Sequence, residues 1–170
     1  MWFFNVLNFC LLLVVVNGEC DPGWEHRWNK CYYFSTETRT WEGAEIDIYF
    51  LDLARKCHSN IGCRQYGSHL VEVESAEEDE YIRAHSRNTR RSNWIGLRDS
   101  ATEGDWRWAY GGARAEYNNW ATNEPDNIFD QDCALLDSLY SYHWVSGSCW
   151  IAHNFICEKG YPSTDIPVVG

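Results

Sequence analysis

The residues best equipped for chemistry in this chain lie between Asn123 and Asp137. Five carboxylates, Glu124, Asp126, Asp130, Asp132 and Asp137, fall in that run, interleaved with the amides of Asn123, Asn127 and Gln131. Such an oxygen-rich loop suits a hard cation, because Ca2+ takes about six to eight oxygen ligands and tolerates irregular geometry. The same composition also describes a solvated acidic loop. Pro125 directly follows Glu124, and X-Pro is the peptide bond in which folded proteins accept the cis form. A second acidic pair, Asp99 and Glu103, sits upstream in RDSATEG, where the acids either shape a Gly-containing turn or ligate a cation. Zinc patterns are excluded, since no C-x2-C pair is present and Cys57, His58 and Cys63 lack finger spacing. No nucleophile motif and no carboxylate pair in an apolar setting points to hydrolysis, so the chain is read as a non-enzyme.

These residues need a scaffold, and the composition says what kind. The chain has 170 residues, and its 25 acidic against 14 basic side chains set a net charge of −11 that repels phosphate backbones and anionic lipid surfaces. Nucleic acid is therefore not an expected partner. The first eighteen residues, MWFFNVLNFCLLLVVVNG, lack ionisable side chains and hold an apolar run too short to span a bilayer, so 1–18 is expected to be a secretory signal. No second hydrophobic segment follows, and a secreted, extracellular product without a membrane span is expected. Beyond the signal seven cysteines remain, at 20, 31, 57, 63, 133, 149 and 157, which in an oxidising compartment read as a disulfide framework with one thiol over.

Aromatic residues alternating with polar ones from Trp24 to Phe34 predict a hairpin. Thr40 opens a helix-like stretch whose apolar residues, Ile46 to Ala54, are too dense for a single stripe. Ser75 followed by Glu78 is a capping-box pattern ahead of Tyr81, Ile82 and His85 on one face, which predicts a second helix. After Arg91 the chain breaks into short strand-like runs punctuated by Gly, Asn and Asp: WIGL, WRW, LL, HWV and FICEK. The fold class is thus α+β, a domain over 19–159 followed by a flexible tail over 160–170. Most tryptophans sit on these runs and are expected in the core; Trp150 and Tyr142 are the expected exposed pair.

Taken in order, CYYF, TW, C-x3-G-x-HL from Cys63, WIGL, EG-x-W, NW, EPDN, DC, the W-x4-C from Trp144 and FICEK resemble the C-type lectin-like domain, with a cadence similar to secreted invertebrate lectins of the perlucin kind. The resemblance implies disulfides Cys63 to Cys157, Cys133 to Cys149 and, as in the long form of the domain, Cys20 to Cys31. Cys57 is then left over, in a stretch between Trp41 and Cys63 longer than the family's first helix. It is read either as a bridge to a second chain in a disulfide-linked dimer or as a capped or buried thiol.

The resemblance also implies two calcium sites. At the sugar-binding site, Glu124, Asp126 and Gln131 would hold Ca2+ and contact the sugar beside Asp132, with the Glu124-Pro125 peptide cis. The chain departs from the family pattern there: Glu-Pro-Asp mixes two usual triplets, Gln131 stands for a carboxylate, and Val145-Ser146 replaces an Asn-Asp pair. At the auxiliary site, Asp99, Glu103, Asn127 and Asp132 are the implied ligands, and calcium is expected there first. The implied function is a secreted carbohydrate-binding lectin for glycans of microbial or extracellular origin. The alternative is a lectin-like interaction or mineral-matrix protein that binds no sugar.

Overall fold

Hairpin, helix and strand signals all find their elements in the computed structural model, which describes residues 19–45, 62–99, 101–126 and 130–162. Segment 1–18, the apolar stretch from Ile46, Cys57, Asn127 and positions 163–170 lie outside the described residues. Strand β1 (Glu25–Arg27) turns at Trp28 and Asn29 into β2 (Lys30–Phe34), and the Cys20–Cys31 disulfide staples the hairpin. Thr40 opens α1 (Trp41–Glu45) by accepting the Gly43 N–H on its hydroxyl at 3.1 Å. After β3 (His69–Leu70), Ser75 caps α2 (Ala76–Thr89) by accepting the Glu78 N–H at 3.2 Å. Glu78 does not close the reciprocal half of a capping box on Ser75; its carboxylate accepts instead from the Glu74 N–H, at 2.9 Å.

Five more strands complete the sheet: β4 (Asn93–Arg98), β5 (Arg107–Trp108), β6 (Cys133–Leu136), β7 (Trp144–Gly147) and β8 (Asn154–Gly160). Their order is β1-β2-β8-β4-β6-β7, with β3 on β8 and β5 on β4. Pairing is antiparallel except between β4 and β8, which run parallel and so bring the C-terminal strand into the middle of the sheet. The result is the α+β arrangement expected. Gly160 ends β8, and Tyr161 stacks on His26 with ring centroids 3.8 Å apart while its N–H donates to Asn29, so the first residues of the expected tail are part of the fold.

Two apolar layers hold the sheet. One gathers Tyr32, Ile82, Leu97, Trp108, Leu136 and Trp144; the other gathers Trp41, Leu70, Trp94, Leu135, Val145 and Phe155. Buried indoles also need partners for their N–H groups. Trp41 donates to the Ile95 carbonyl at 2.8 Å and Trp94 to the Arg39 carbonyl at 3.0 Å. The expectation of core tryptophans holds for these and for Trp108 and Trp144, whereas Trp28 stands half in solvent; Trp150, expected to be exposed, is so. Tyr142, expected to be exposed, is buried against the first layer, because the chain turns inward at Ser141 and Tyr142, both in the left-handed region.

The three disulfides pair as the resemblance implies. Cys63–Cys157 closes a sequence separation of 94, a span for which the chain-entropy account gives about 4 to 5 kcal/mol. Beside it lies a buried charged group. Lys30 Nζ meets Glu78 at 2.9 Å, Glu158 at 2.9 Å and the more exposed Glu74 at 3.0 Å, and the Tyr32 hydroxyl donates to Glu78. Burial alone would lower the Lys30 ammonium, but Glu158 and Glu78 overcome it and hold it above its usual range. Burial also pushes the Glu158 carboxyl up to about 7, against the lowering effect of Lys30.

Two expectations follow. A Cβ at Gly96 would meet the Leu70 carbonyl oxygen at 2.7 Å, a backbone atom that cannot step aside. Gly96→Ala should therefore cost about 1 to 3 kcal/mol in denaturant unfolding by forcing β4 away from β3. For Glu158, the folded-state carboxyl titrates above its unfolded value of 4.5, so its protonated form favours folding. That contribution is fully present below pH 4.5 and is lost as pH rises through about 7. Thermal unfolding should accordingly show Glu158→Gln with a shallower fall in Tm than the parent chain between those two pH values.

Candidate functional site

The acidic loop reaches its place through β7. The Trp144 N–H donates to the Asn119 carbonyl at 3.0 Å and its carbonyl accepts from the Ala121 N–H at 2.8 Å, so residues 119–121 run alongside the strand. From Ala121 the chain turns through Asn123, in the left-handed region that Asn tolerates well, and the Glu124 N–H bonds back to the Ala121 carbonyl at 3.0 Å. The Glu124-Pro125 peptide is cis. The outcome is a convergence on one residue of β7. Ser146 donates its N–H to Glu124 Oε2 at 3.0 Å, and its hydroxyl lies 2.7 Å from the same oxygen and 3.3 Å from Asp126 Oδ1.

Of the residues implied for sugar binding, Glu124 and Asp126 are thus brought together. Gln131 stands outside that hydrogen-bonded group, on the approach to β6, and Asp132 belongs to a different cluster. The side chain of Val145, on the opposite face of β7 from Ser146, packs in the second apolar layer and offers no oxygen.

Asp132 and Asp99 face each other where β4 and β6 end. The Asp99 N–H donates to the Asp132 carbonyl at 3.1 Å, and Asp99 Oδ2 accepts from the Gly104 N–H at 2.8 Å. Asp99 is only 3 % exposed, yet among the described residues its buried Oδ1 has no hydrogen-bond partner. Burial, and then the charge of Asp132, hold its carboxyl above the usual aspartate range. Glu103, on the outer side of the same turn, is raised too, by local shielding and by the charges of Asp99 and Asp132. Asn127, the remaining implied ligand, lies outside the described residues. Among the described residues, no three His, Cys, Asp or Glu side chains stand close enough together to hold a metal ion.

The two implied calcium sites therefore fare differently against the residues present. A buried carboxylate oxygen with no hydrogen-bond partner among the described residues is a donor that a hard cation relieves, although Asp99, Glu103 and Asp132 by themselves do not close into a metal-binding group. At Ser146 the fit is poor, because a backbone N–H and a hydroxyl already engage Glu124 Oε2, and Val145 and Gln131 add no charge.

Sequence reasoning missed the group that anchors β7. Asp79, in the first turn of α2, reads as one of several acids favoured by the helix N-terminus. In the fold it is 1 % exposed and accepts the indole N–H of Trp144 at 2.7 Å and the amide of Asn119. Burial raises its carboxyl, opposed by those bonds and by Arg83. His143 completes the group: Arg83 can only donate, so His143 Nε2 accepts from it at 3.1 Å and Nδ1 donates to Asn119 Oδ1 at 2.9 Å. Its partners lie far along the chain, Asn119 forty residues on and Trp144 sixty-five, so no local pattern in the sequence announces it.

Residues 57–159 match the family described as Lectin C-type domain. The human C-type lectin domain family 17, member A is 34% identical over 140 residues, a match covering 82% of this chain and 32% of the relative, so the chain spans about a third of that protein. A perlucin-like protein of Mytilus galloprovincialis is 27% identical over 150 residues, with 83% of this chain and 86% of the relative covered. Among solved structures, the mouse scavenger receptor C-type lectin carbohydrate-recognition domain is 36% identical at a TM-score of 0.70, covering 86% of this chain and 100% of its own. An acidic loop hung on an edge strand, three disulfides and a family match over more than half of its length place the chain in one group: it belongs to the C-type lectin domain family.

Proposed function

We propose that this chain is an extracellular lectin that binds glycans and performs no catalysis. The observation that carries the reading is the convergence of Glu124 and Asp126 on Ser146, which aims two carboxylates of one loop at a common point. Carboxylate oxygens accept hydrogen bonds from sugar hydroxyls, and two acceptors set at a fixed spacing select among hydroxyl arrangements. The mouse receptor domain named above is described as carbohydrate-recognising, which supports the same assignment here. Glycans of microbial or extracellular-matrix origin are the partners that an extracellular lectin meets. Three disulfides suit that compartment, and among the described residues no helix is long and apolar enough to cross a membrane.

Calcium has its place in this reading at the auxiliary site. Asp99, Glu103 and Asp132 would hold it, with Asn127 as the fourth ligand that the family pattern implies. The ion would supply positive charge to three neighbouring carboxylates and so fasten the turn after β4 to the start of β6.

Two measurements test the proposal. On a glycan array the chain should bind a defined subset of glycans, competed by free monosaccharide, and Glu124→Ala should weaken that binding by about tenfold or more. If no glycan binds, the lectin reading falls and the interaction or mineral-matrix reading, favoured by Val145 and Ser146, takes its place. In thermal unfolding, calcium should raise Tm, and Asp99→Asn should remove most of that rise; an undiminished rise in the variant would place the ion elsewhere.

A further inference from the structure

Among the described tryptophans, Trp28 sits where its own backbone disfavours it. It is the first of the two turn residues between the paired Arg27 and Lys30, and its φ of 52° lies in the left-handed region, where a bulky side chain is strained and glycine is not. Half of its surface nevertheless faces solvent, so packing against the core does not account for it. Strain held at an exposed aromatic is a mark of a side chain kept for contact with something outside the fold. Trp28 lines a groove of about 600 Å3 between the first hairpin and α2, a size within the range of small-ligand sites. The short side chains of Ala76 and Ala84 leave that space open on the helix side.

The chemistry of the groove narrows its ligand. The rings of Trp28 and Tyr81 stand at 82° to each other with centroids 5.8 Å apart. The Arg27 guanidinium lies 5.4 Å from the first ring and 5.7 Å from the second, so the place where aromatic faces would hold a cation is taken. Two carboxylates share the lining: Glu80 is paired with Arg83 and Arg87, whereas the Glu77 carboxylate has no ion pair or hydrogen bond among the described residues. A cationic ligand meets Arg27, and an anionic one meets Glu77 and Glu80. A neutral ligand with one apolar face and several hydroxyls suits all of these groups. A pyranose has that form: its ring C–H groups pack on an indole, while its hydroxyls accept from a guanidinium and donate to a carboxylate.

We propose that the groove between the first hairpin and α2 is a second carbohydrate subsite, which holds a neutral pyranoside on Trp28 with Arg27 and Glu77 as its polar contacts and needs no metal. The inference builds on the lectin reading above, but the groove shares no residue with the acidic loop, so each can fail without the other.

The full chain is titrated in EDTA with methyl β-glucoside, glucosamine and sialic acid while the indole N–H resonances are followed by NMR, that of Trp28 being the one absent from Trp28→Gly. Methyl β-glucoside should shift the Trp28 resonance equally in calcium and in Glu124→Ala, and Arg27→Gln and Glu77→Gln should each weaken its binding by about five- to tenfold. Both charged sugars should bind more weakly. Saturation transfer to the glucoside should persist in Glu124→Ala and vanish when Trp28→Gly is added, a substitution that suits the left-handed turn. Glu77→Gln, on an exposed turn of helix, keeps the test decisive if the Trp28 variant misfolds. An unmoved Trp28 resonance, a preference for glucosamine or sialic acid, or a dimer that Trp28→Gly dissociates in analytical ultracentrifugation overturns the inference. Sugar binding lost in Glu124→Ala or in EDTA overturns it too and leaves the lectin reading standing. Binding that survives both and disappears with Trp28→Gly upholds it and moves the sugar away from the acidic loop.

Discussion

The loop that carries the acidic residues has little regular structure of its own, and one residue ties it down. Trp144 is held from four directions: its backbone N–H and carbonyl pair with Asn119 and Ala121, its other flank pairs with β6, and its indole N–H ends on buried Asp79. The rings of Trp108, Tyr117 and Trp120 pack around it at centroid distances of 5.8 to 6.0 Å. Because Ser146 lies two residues further along the same strand, whatever fixes Trp144 also fixes the point at which Glu124 and Asp126 meet. A buried carboxylate is a costly anchor unless it is fully bonded, and Asp79 is bonded by an indole, an amide and a guanidinium. The edge that carries the acidic loop and the helix packed behind the sheet are thereby one mechanical unit.

The two acidic clusters show how the same residue type is handled in opposite ways. At Asp99 a buried oxygen has no donor among the described residues, a situation proteins seldom tolerate unless something else supplies the positive charge. At Glu124 donors are supplied from within the chain, by a strand N–H and a serine hydroxyl. A third solution appears away from both, where Lys30 gathers Glu74, Glu78 and Glu158 beside the long-range disulfide. There the cation is covalently part of the fold, and burial raises the Glu158 carboxyl against the lowering effect of Lys30.

How much of this is legible in the sequence depends on the range of the interaction. Ser75 and Glu78 announce α2 because a cap is settled within a few residues. The aromatic run of β2 and the run WIGL announce strands for the same reason. Of the candidate ligands, Glu124 with Asp126 and Asp99 with Asp132 are found as neighbours, the first pair close in sequence and the second set side by side at the ends of paired strands. Asp79 escapes notice because an acid in a first helical turn has a sufficient local explanation. Tyr142 is misplaced for a related reason: a tyrosine in a polar turn reads as exposed until the left-handed turn at Ser141 and Tyr142 swings it onto the core.

By itself the sequence determined the α+β class, the ordered motifs of the family, and the stock of oxygen-bearing side chains, since these depend on residue type and short spacing. Through the family resemblance it also determined the disulfide pairing. Tertiary structure alone decided which oxygens are satisfied. A carboxylate's role as cation ligand or hydrogen-bond acceptor turns on the donors that face it, and here those donors come from β7, more than twenty residues away along the chain and fixed in place by its pairing with β6.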